Sequence, residues 1–358
     1  MPIKLSGFDQ MKLQLDPNNY EASPPYNEWL DEQYLEQSGG TLDILGYQPR
    51  PSFVLFSMSP DTYEAAFPDY LQQRAEDIKE TVFEAFPMPI AYYFYRFEHG
   101  YESELQRLHF LRDTWEAVVD VLHGLAVAEL RHRQLPMGEP LKFKNLLSDS
   151  VAQRLENIEE IAKQIIAGGG SPEFQNILSP TTLATMRDLN QSRNAFSHGA
   201  AQSETQALNW INECLDDVLN VLYDLKDLQN VHILRYLSQT NAATLRCETF
   251  KGHSGAKTIK SFPLTPQQIA DSSVYFQQDH LLAILKTEVL SLRPIIHFRD
   301  DANGHQTRLC VLRKTHGDGA SRTIEYAVVG KAESHTLSRS VFTAELTQIR
   351  HLFGLGDD

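Results

Sequence analysis

One short stretch of the sequence, residues 193–198, combines an arginine, an asparagine and a histidine in the spacing Arg-Asn-x-x-x-His. A histidine with a pKa near ~6.5 takes up and releases protons at cellular pH, so His198 is a candidate general acid and base. The planar guanidinium of Arg193 fits phosphate oxygens, and the amide of Asn194 is able to orient the imidazole or a phosphate. Ser197 offers a hydroxyl for substrate binding. These residue types suit cleavage of RNA, whose own 2′-hydroxyl is the nucleophile, without a metal ion.

The motif, close to the end of a predicted helix, resembles that of the HEPN superfamily (higher eukaryote and prokaryote nucleotide-binding domains). The ribonucleases of that superfamily carry Arg-polar-x-x-x-His, and the resemblance covers about residues 90–240. It implies a helical bundle and a metal-independent endoribonuclease that uses no cofactor. It also implies a toxin or antiviral-defence effector whose products are a 2′,3′-cyclic phosphate and a 5′-hydroxyl. Several HEPN toxins carry a tyrosine two residues after the histidine, but Ala200 stands here, so regulation through such a tyrosine is not expected.

The spacing of the motif also bears on the oligomeric state. Five residues of an ideal helix separate Arg193 from His198, which places them about 140° apart around the helix axis. One helix is therefore badly arranged to direct both side chains at one phosphate. Two copies that meet across a two-fold axis would surround one cleft with two arginines and two histidines. The resemblance implies this composite site, and an isologous homodimer is the commonest oligomer.

Other interpretations of the motif remain open. The helix dipole favours arginine and histidine at the C-terminus of any helix, with no catalytic role. A HEPN-like chain is also able to act as a non-catalytic interaction subunit of a larger defence complex. A third possibility is a nucleotide-sensing subunit in which Arg193 and His198 hold a ligand phosphate. The acidic composition favours the interaction subunit, whereas the intact motif favours the nuclease.

The elements that carry the motif are predicted to be helices. Apolar residues recur with the helical period from Leu105 to Ala126, which predicts a helix from Glu102 to about Leu135 with Trp115 in the core. Proline, glycine and capping residues delimit three more helices. These run from about Phe143 to Ala167, from Ser179 to His198-Gly199, and from Ser203 to about Leu237. Four helices with short connections predict an antiparallel bundle.

The segments on either side of the bundle have different patterns. The N-terminal segment is predicted to be mixed, with a short strand at Phe53–Phe56 and a helix from Ser59-Pro60 to about Phe86. After Asn241, short β-prone runs alternate with turn residues and a closing helix follows. The runs are Thr244–Phe250, Ala256–Leu264, Leu281–Leu285, Val289–Phe298, Thr307–Arg313 and Arg322–Val329, and the helix is Ser340–Phe353. We therefore predict an α+β multidomain chain with an accessory region at 1–89, a HEPN-like bundle at 90–241 and an α+β domain at 242–358.

The charge of the chain restricts where RNA is able to bind. The net charge is −15, yet residues 246–358 carry 14 Lys/Arg against 12 Asp/Glu, so the excess of acid lies in the preceding residues. A field of this sign repels nucleic acid at long range and requires a local basic site. Arg131 and Arg133, near the end of the long predicted helix, are candidate substrate-binding residues. In the alternative interpretation, both arginines are solvent-exposed and only stabilise the C-terminus of the helix through its dipole.

The remaining composition excludes several classes of protein. No apolar run is long enough to span a bilayer, the N-terminus lacks a signal-peptide pattern, and the three cysteines include no CxxC pair. We therefore expect a cytoplasmic protein that has no contact with a membrane. His297, His305, Cys310 and His316 are spaced too loosely to predict a metal site, and no phosphate-binding loop is present. The C-terminal domain is expected to bind a protein partner or an activating trigger.

Overall fold

A computed structural model describes residues 20–38, 46, 48–137, 141–168, 175, 177–178, 180–199, 203–254, 256–301, 303, 306–316 and 322–356, apart from the side chains of residues 22, 38 and 192–199. These residues have a mixed α+β structure, as the sequence predicts. None of their helices is both long enough and apolar enough to cross a membrane. The chain divides into two compact units, residues 1–80 and 81–358.

The described part of the first unit is helical. It begins with a 3-10 helix at Tyr20–Ala22 and continues with α1 (Pro24–Ser38), α2 (Pro51–Met58), α3 (Pro60–Ala65) and most of α4 (Phe67–Ala85). Its core is rich in tyrosine, and the hydroxyl groups of such buried rings need partners. Tyr26 donates to the carbonyl oxygen of Tyr63, whose own hydroxyl donates to Asn27 Oδ1 at 2.5 Å.

The predicted strand at Phe53–Phe56 is wrong, because these residues belong to α2. Pro51 occupies the first helical position, where its fixed φ angle and missing N–H are tolerated. Phe53 and Phe56 are three residues apart and share a face, on which both rings contact Tyr20 at centroid distances of 5.5 and 5.6 Å. A short apolar run does not distinguish a strand from a packed helix until its neighbours are known.

The second unit begins with a succession of helices. They are α5 (Met88–His99), α6 (Glu104–Arg133), α7 (Phe143–Leu146), α8 (Val151–Ala167), α9 (Pro180–Gly199) and α10 (Glu204–Asp224). The predicted helices at 102–135 and 179–199 are confirmed, and the one predicted from Phe143 is interrupted between α7 and α8. The helix predicted from Ser203 to about Leu237 is too long at its C-terminal end, because α10 ends at Asp224.

Strands follow a 3-10 helix at Lys226–Asn230. In order they are β1 (His232–Asn241), β2 (Thr244–Thr249), β3 (Thr258–Pro263), then α11 (Pro266–Ser272), β4 (Leu281–Ile284), β5 (Val289–Ser291), β6 (Ile296–Asp300), β7 (Thr307–His316), β8 (Thr323–Val328) and β9 (Ser334–Ser338), with α12 (Thr343–Leu352) last. The β-rich character of this region is confirmed. The run Val289–Phe298 forms two strands, and β9 was not predicted.

The described strands form two antiparallel sheets. The first has the strand order β3-β2-β1-β4-β5, and the second has the order β6-β7-β8-β9. Strands β5 and β6 are close in sequence but belong to different sheets. In the second sheet the register pairs His297 with Cys310 and Tyr326 with His335.

Helix α6 forms the centre of the second unit. All of its residues from Thr114 to Arg131 are buried, including Trp115, as predicted. A helix that is buried around its whole circumference needs neighbours on every side, and α6 contacts α5, α8, α10, β5 and α12. A Cβ atom at Gly124 would lie 2.7 Å from the side chain of Ile296, so glycine allows α6 to approach β6 closely. Residue 241 lies within the compact unit 81–358, and the division into domains at residues 89 and 241 stays a prediction.

Candidate active site

Helix α9 carries the Arg-Asn-x-x-x-His motif in its last turns. The backbone of Arg193, Asn194, Ser197 and His198 is helical, as the sequence predicts, whereas their side chains lie outside the described part of the structure. At the other end of α9, the buried Thr182 donates its hydroxyl proton to Asp224 Oδ2 at 2.6 Å, so the start of α9 lies against the end of α10.

Helices α6, α8, α9 and α10 of the second unit contact one another in a closed cycle, which we call the ring. Helix α9 contacts α8 and α10, and these two helices both contact α6 on their other sides. An ion pair between Arg187 and Glu159 joins α9 to α8. Between α8 and α6, the buried Asn157 lies with its Nδ2 3.2 Å from His123 Nε2. Burial lowers the pKa of His123 to about 3, so this imidazole is neutral at cellular pH and is unsuited to proton transfer there.

One end of this ring brings the motif helix close to the start of α6. Glu204, the first residue of α10, accepts hydrogen bonds from the backbone N–H groups of Glu104 at 2.5 Å and Leu105 at 3.3 Å. The N-termini of α6 and α10 therefore meet, and Gly199 is only five residues before Glu204 in the chain. The last turns of α9 thus lie at the end of the ring where α6 begins. We call this the motif end.

Two arginines at the motif end were not singled out in the sequence. Arg107 of α6 lies over the rings of Phe97 and Tyr101, with its guanidinium carbon 4.6 and 5.0 Å from their centroids. Arg96 of α5 lies 4.9 Å from the ring centroid of Phe110. The Nε atoms of both arginines are buried without a hydrogen-bond partner. The sequence contains a signal for this cluster, because aromatic residues alternate with arginines between 96 and 110, but the pattern also fits an ordinary core.

Arg131 lies far from the motif end. It is 26 residues after Leu105 on the same helix, or roughly 40 Å along the helix axis. Its side chain is buried and donates to the carbonyl oxygens of Ser291, at 2.8 Å, and Arg293. Arg131 is therefore not part of a solvated helix end, and two of its nitrogens hold α6 to the end of β5 and the residues after it.

Arg133 is also engaged by other residues of the second unit. Its Nη2 atom lies 3.0 Å from the carboxylate of Glu129 and 2.9 Å from that of Glu288. The first partner is one helical turn earlier and the second belongs to the turn between β4 and β5. Neither Arg131 nor Arg133 is thus close enough to the motif end of its own chain to share a phosphate with Arg193.

A second group of charged residues lines a cavity of about 210 Å³ between α6 and the second sheet. Arg112 pairs with Asp113 at 2.7 Å, and Arg313 lies 3.6 Å from Glu116. Burial raises the pKa of Asp113, while the neighbouring Arg112 opposes that shift. Because these charges are matched within the cavity, their arrangement joins α6 to the sheet and leaves little net charge for a substrate.

The described residues contain no group of three or more His, Cys, Asp or Glu side chains that could hold a metal ion. Of the residues considered in the sequence, His305 lies outside the described part. His297 and Cys310 are adjacent across β6 and β7, and burial raises the pKa of the Cys310 thiol to about 12. The imidazole of His316 instead pairs with Glu325 at 2.7 Å.

Comparison with known proteins gives no family assignment. No protein-family model matches the chain, and neither the curated proteins nor the solved structures include a match.

Proposed function

We propose that the chain is a metal-independent endoribonuclease of the HEPN type, which acts as a homodimer and serves as a toxin or antiviral-defence effector. In this proposal His198 is the general acid and base, Arg193 binds the scissile phosphate, and Asn194 orients them. The main support is that a helix ending in Arg-Asn-x-x-x-His packs in a ring with three other helices of its own unit.

The proposed reaction needs only these side chains and the RNA. The imidazole of His198 removes the proton of the 2′-hydroxyl, whose oxygen attacks the adjacent phosphorus. The bond from phosphorus to the 5′-oxygen breaks, and that oxygen takes a proton from the protonated His198 of the second copy. Arg193 stabilises the negative charge that builds on the phosphorane oxygens in the transition state. The products are a 2′,3′-cyclic phosphate and a 5′-hydroxyl, and no water is consumed.

The motif end also offers contacts for the flanking RNA. We propose that Arg96 and Arg107 contact phosphates on either side of the scissile bond. Both lie against aromatic rings, which reduces the conformational freedom lost on binding. Arg107 also pairs with Glu104 at 3.4 Å, and a phosphate would replace this carboxylate. The half-exposed ring of Tyr101 gives a base a surface on which to stack. Such a local basic and aromatic site answers the requirement set by a net charge of −15. Arg131 and Arg133 are not included, because they lie at the other end of α6.

The experiment compares purified His198→Ala protein with the wild type on total RNA and on a short synthetic RNA. We expect the wild type to generate fragments with cyclic phosphate ends and His198→Ala to generate none. His351→Ala is the matched control, because it removes an exposed histidine from α12, which lies in contact with the far part of α6. Cleavage by His198→Ala at the rate of the wild type would contradict the proposal.

A non-catalytic or nucleotide-sensing subunit of a larger defence complex is the second candidate. The acidic net charge favours it, since such a surface repels free RNA. The same experiment separates the two candidates. A wild-type protein that leaves RNA intact at micromolar concentration, and whose Arg193→Ala variant loses binding to a nucleotide or to a partner protein, would support the second candidate.

A further inference from the structure

A cavity of about 480 Å³ lies at the C-terminal end of α6, away from the motif end. Its wall is formed by the last turn of α6, the 3-10 helix Ser273–Tyr275, the end of β5 and the start of α12. The volume is within the range of roughly 300–1,000 Å³ that is usual for small-molecule sites. The proposed nuclease reaction does not use this cavity.

Two buried side chains in the wall have polar atoms without partners. Arg131 is 4% exposed, and its Nη atoms donate to backbone carbonyls, but its Nε atom has no hydrogen-bond partner. His280 is 5% exposed, with its Nε2 2.6 Å from Ser291 Oγ, and its Nδ1 atom has no partner. Buried polar atoms of this kind are rare in folded proteins unless a ligand or water satisfies them. When Ser291 donates to Nε2, the Nδ1 atom carries the proton and is a donor.

The cavity wall has an excess of one positive charge. Its cations are Arg131 and Arg293, and the carboxylate of Glu345 lies 3.2 Å from Arg293 Nε and balances it. Burial, with help from both arginines, lowers the pKa of His280 to about 3, so its imidazole is neutral at cellular pH. Arg131 forms no ion pair with a described carboxylate of the wall, although its guanidinium interacts with the side chain of Tyr275 and is attracted by Glu345.

The mouth of the cavity has exposed apolar side chains beside polar ones, which are Gln277, Ser340, Thr343 and Gln348. Val274 is 64% exposed and Val341 is 45% exposed, and both belong to the wall. The ring of Tyr275, another wall residue, is stacked on His280 with centroids 5.9 Å apart and an interplanar angle of 23°, and the guanidinium carbon of Arg131 lies 5.9 Å from the centroid of the Tyr275 ring. The cavity therefore has donors and positive charge at its base and hydrophobic groups at its opening.

We propose that this cavity binds a small organic anion that has an apolar or ring-containing body. The anionic group, a carboxylate or a phosphate, accepts hydrogen bonds from Arg131 Nε and His280 Nδ1. The body of the ligand packs against Val274, Tyr275 and Val341 at the opening. A single negative charge on the ligand neutralises the excess positive charge of the wall.

Isothermal titration calorimetry on the full chain tests this assignment with three probes: inorganic phosphate, adenosine monophosphate and benzoate. We expect at least one of the two organic anions to bind with one-to-one stoichiometry and a Kd below about 1 mM. Binding of adenosine monophosphate alone would identify the anionic group of the ligand as a phosphate, and binding of benzoate alone would identify it as a carboxylate. Absence of binding by both organic anions at 10 mM, with or without binding of inorganic phosphate, would overturn the proposal.

A matched pair of variants locates the binding. Val274→Glu adds a negative charge at the opening and is expected to weaken the binding of the anion at least tenfold. Val274→Gln has nearly the size of the glutamate variant without its charge and loses the same apolar contact, so we expect it to bind the anion at least fivefold more tightly than Val274→Glu. Because Val274 is largely exposed, neither change should affect folding. Equal affinities of the two variants would overturn the assignment to this cavity.

The double variant His280→Phe, Ser291→Ala tests the base of the cavity. It removes both members of a buried hydrogen bond and leaves neither unsatisfied, which limits the effect on stability. We expect its thermal unfolding to remain cooperative and its anion affinity to fall at least fivefold. A folded double variant that binds as tightly as the wild type would show that His280 Nδ1 is not a ligand.

Discussion

The carboxylate of Glu204 accepts the backbone N–H of Glu104 at 2.5 Å, across a sequence separation of 100 residues. The first N–H groups of a helix have no partner within the helix, so an acceptor from elsewhere stabilises the helix start and complements its dipole. This hydrogen bond joins the starts of α6 and α10. The end of α9, five residues before Glu204, and the arginines of α5 and α6 lie at this same end of the second unit.

Glu204→Ala is expected to destabilise the second unit by about 1 kcal/mol, the usual cost of losing a helix cap. Urea unfolding followed by circular dichroism measures the change. The matched control is Glu213→Ala, which makes the same substitution at an exposed position of α10 and should alter stability by less than half as much. Equal losses in the two variants would mean that the contact between Glu204 and the start of α6 contributes no stability.

Arg107→Gln is expected to weaken RNA binding by the cleavage-deficient His198→Ala protein. If Arg107 contacts one phosphate, the slope of log affinity against log salt should decrease in magnitude by about 1. Fluorescence anisotropy with a labelled RNA measures both quantities. Lys286→Gln, which removes an exposed positive charge from the turn between β4 and β5, should leave them unchanged. A reduced affinity with an unaltered salt slope would contradict a phosphate contact.

Cleavage is expected to survive millimolar EDTA, because the proposed chemistry uses only histidine, arginine and the 2′-hydroxyl. The assay is the release of cyclic phosphate ends from a synthetic RNA, with and without chelator. Magnesium-dependent recovery of an activity lost in EDTA would indicate a metal-dependent reaction and would contradict the proposed mechanism.

The buried His123 makes stability depend on pH. Its pKa is about 3 in the folded protein, because burial disfavours the charged imidazole, and ~6.5 in the unfolded chain. Between these values only the unfolded chain binds the proton. The contribution of His123 to the free energy of unfolding is thus close to zero above about pH 6.5 and becomes increasingly unfavourable to the folded state as the pH falls towards 3. At pH 5 we expect a loss of roughly 2 kcal/mol from this residue.

The phenylalanine variant isolates this contribution. His123→Phe cannot take up a proton, so its loss of stability between pH 7.5 and pH 5 should be smaller than that of the wild type by roughly 2 kcal/mol. Urea unfolding at the two pH values measures it. His351→Phe, at an exposed position of α12, should retain the pH dependence of the wild type. If His123→Phe loses as much stability as the wild type, the folded protein admits a proton at His123.

The sequence predicted the helices of the second unit well, because their apolar period, proline starts and glycine ends are local signals. It predicted less well where partners distant in sequence decide the outcome. Residues 231–236 have buried positions that fit a helix face or a strand, and pairing with β2 and β4 makes them β1. Strand β9 is an exposed edge with little apolar alternation, so only its pairing with β8 identifies it.

The candidate site shows the same limit. The sequence identified Arg193 and His198 from their spacing and correctly predicted the helix that carries them. It did not connect Arg107 with the motif, because that relationship depends on the contact between Glu204 and Glu104. From the sequence, Arg131 and Arg133 were also expected to have the same role at the basic end of the long helix. Their buried and paired states depend on Ser291, Arg293 and Glu288, about 160 residues later in the chain.

The active form is expected to be a two-fold dimer through the helices of the second unit. Arg193 and His198 are five residues apart on a helix whose regular backbone extends to Gly199, so the angle of about 140° between them is retained. We therefore expect one chain to be badly arranged to direct both side chains at one phosphate, whereas two chains would supply a pair from different copies. Light scattering on the purified protein at micromolar concentration should give about twice the chain mass of 40.7 kDa.

Subunit mixing adds a test of the composite site itself. Arg193→Ala and His198→Ala proteins are each expected to be inactive, and a mixture that exchanges subunits should regain part of the activity if one intact arginine and one intact histidine suffice. The Arg193→Lys protein should have little of the wild-type cleavage activity, since lysine lacks the planar guanidinium that binds two phosphate oxygens. The decisive measurement is the mass of the active species. A protein that cleaves RNA while it remains strictly monomeric would refute the composite site, because all of its catalytic groups would then come from a single chain.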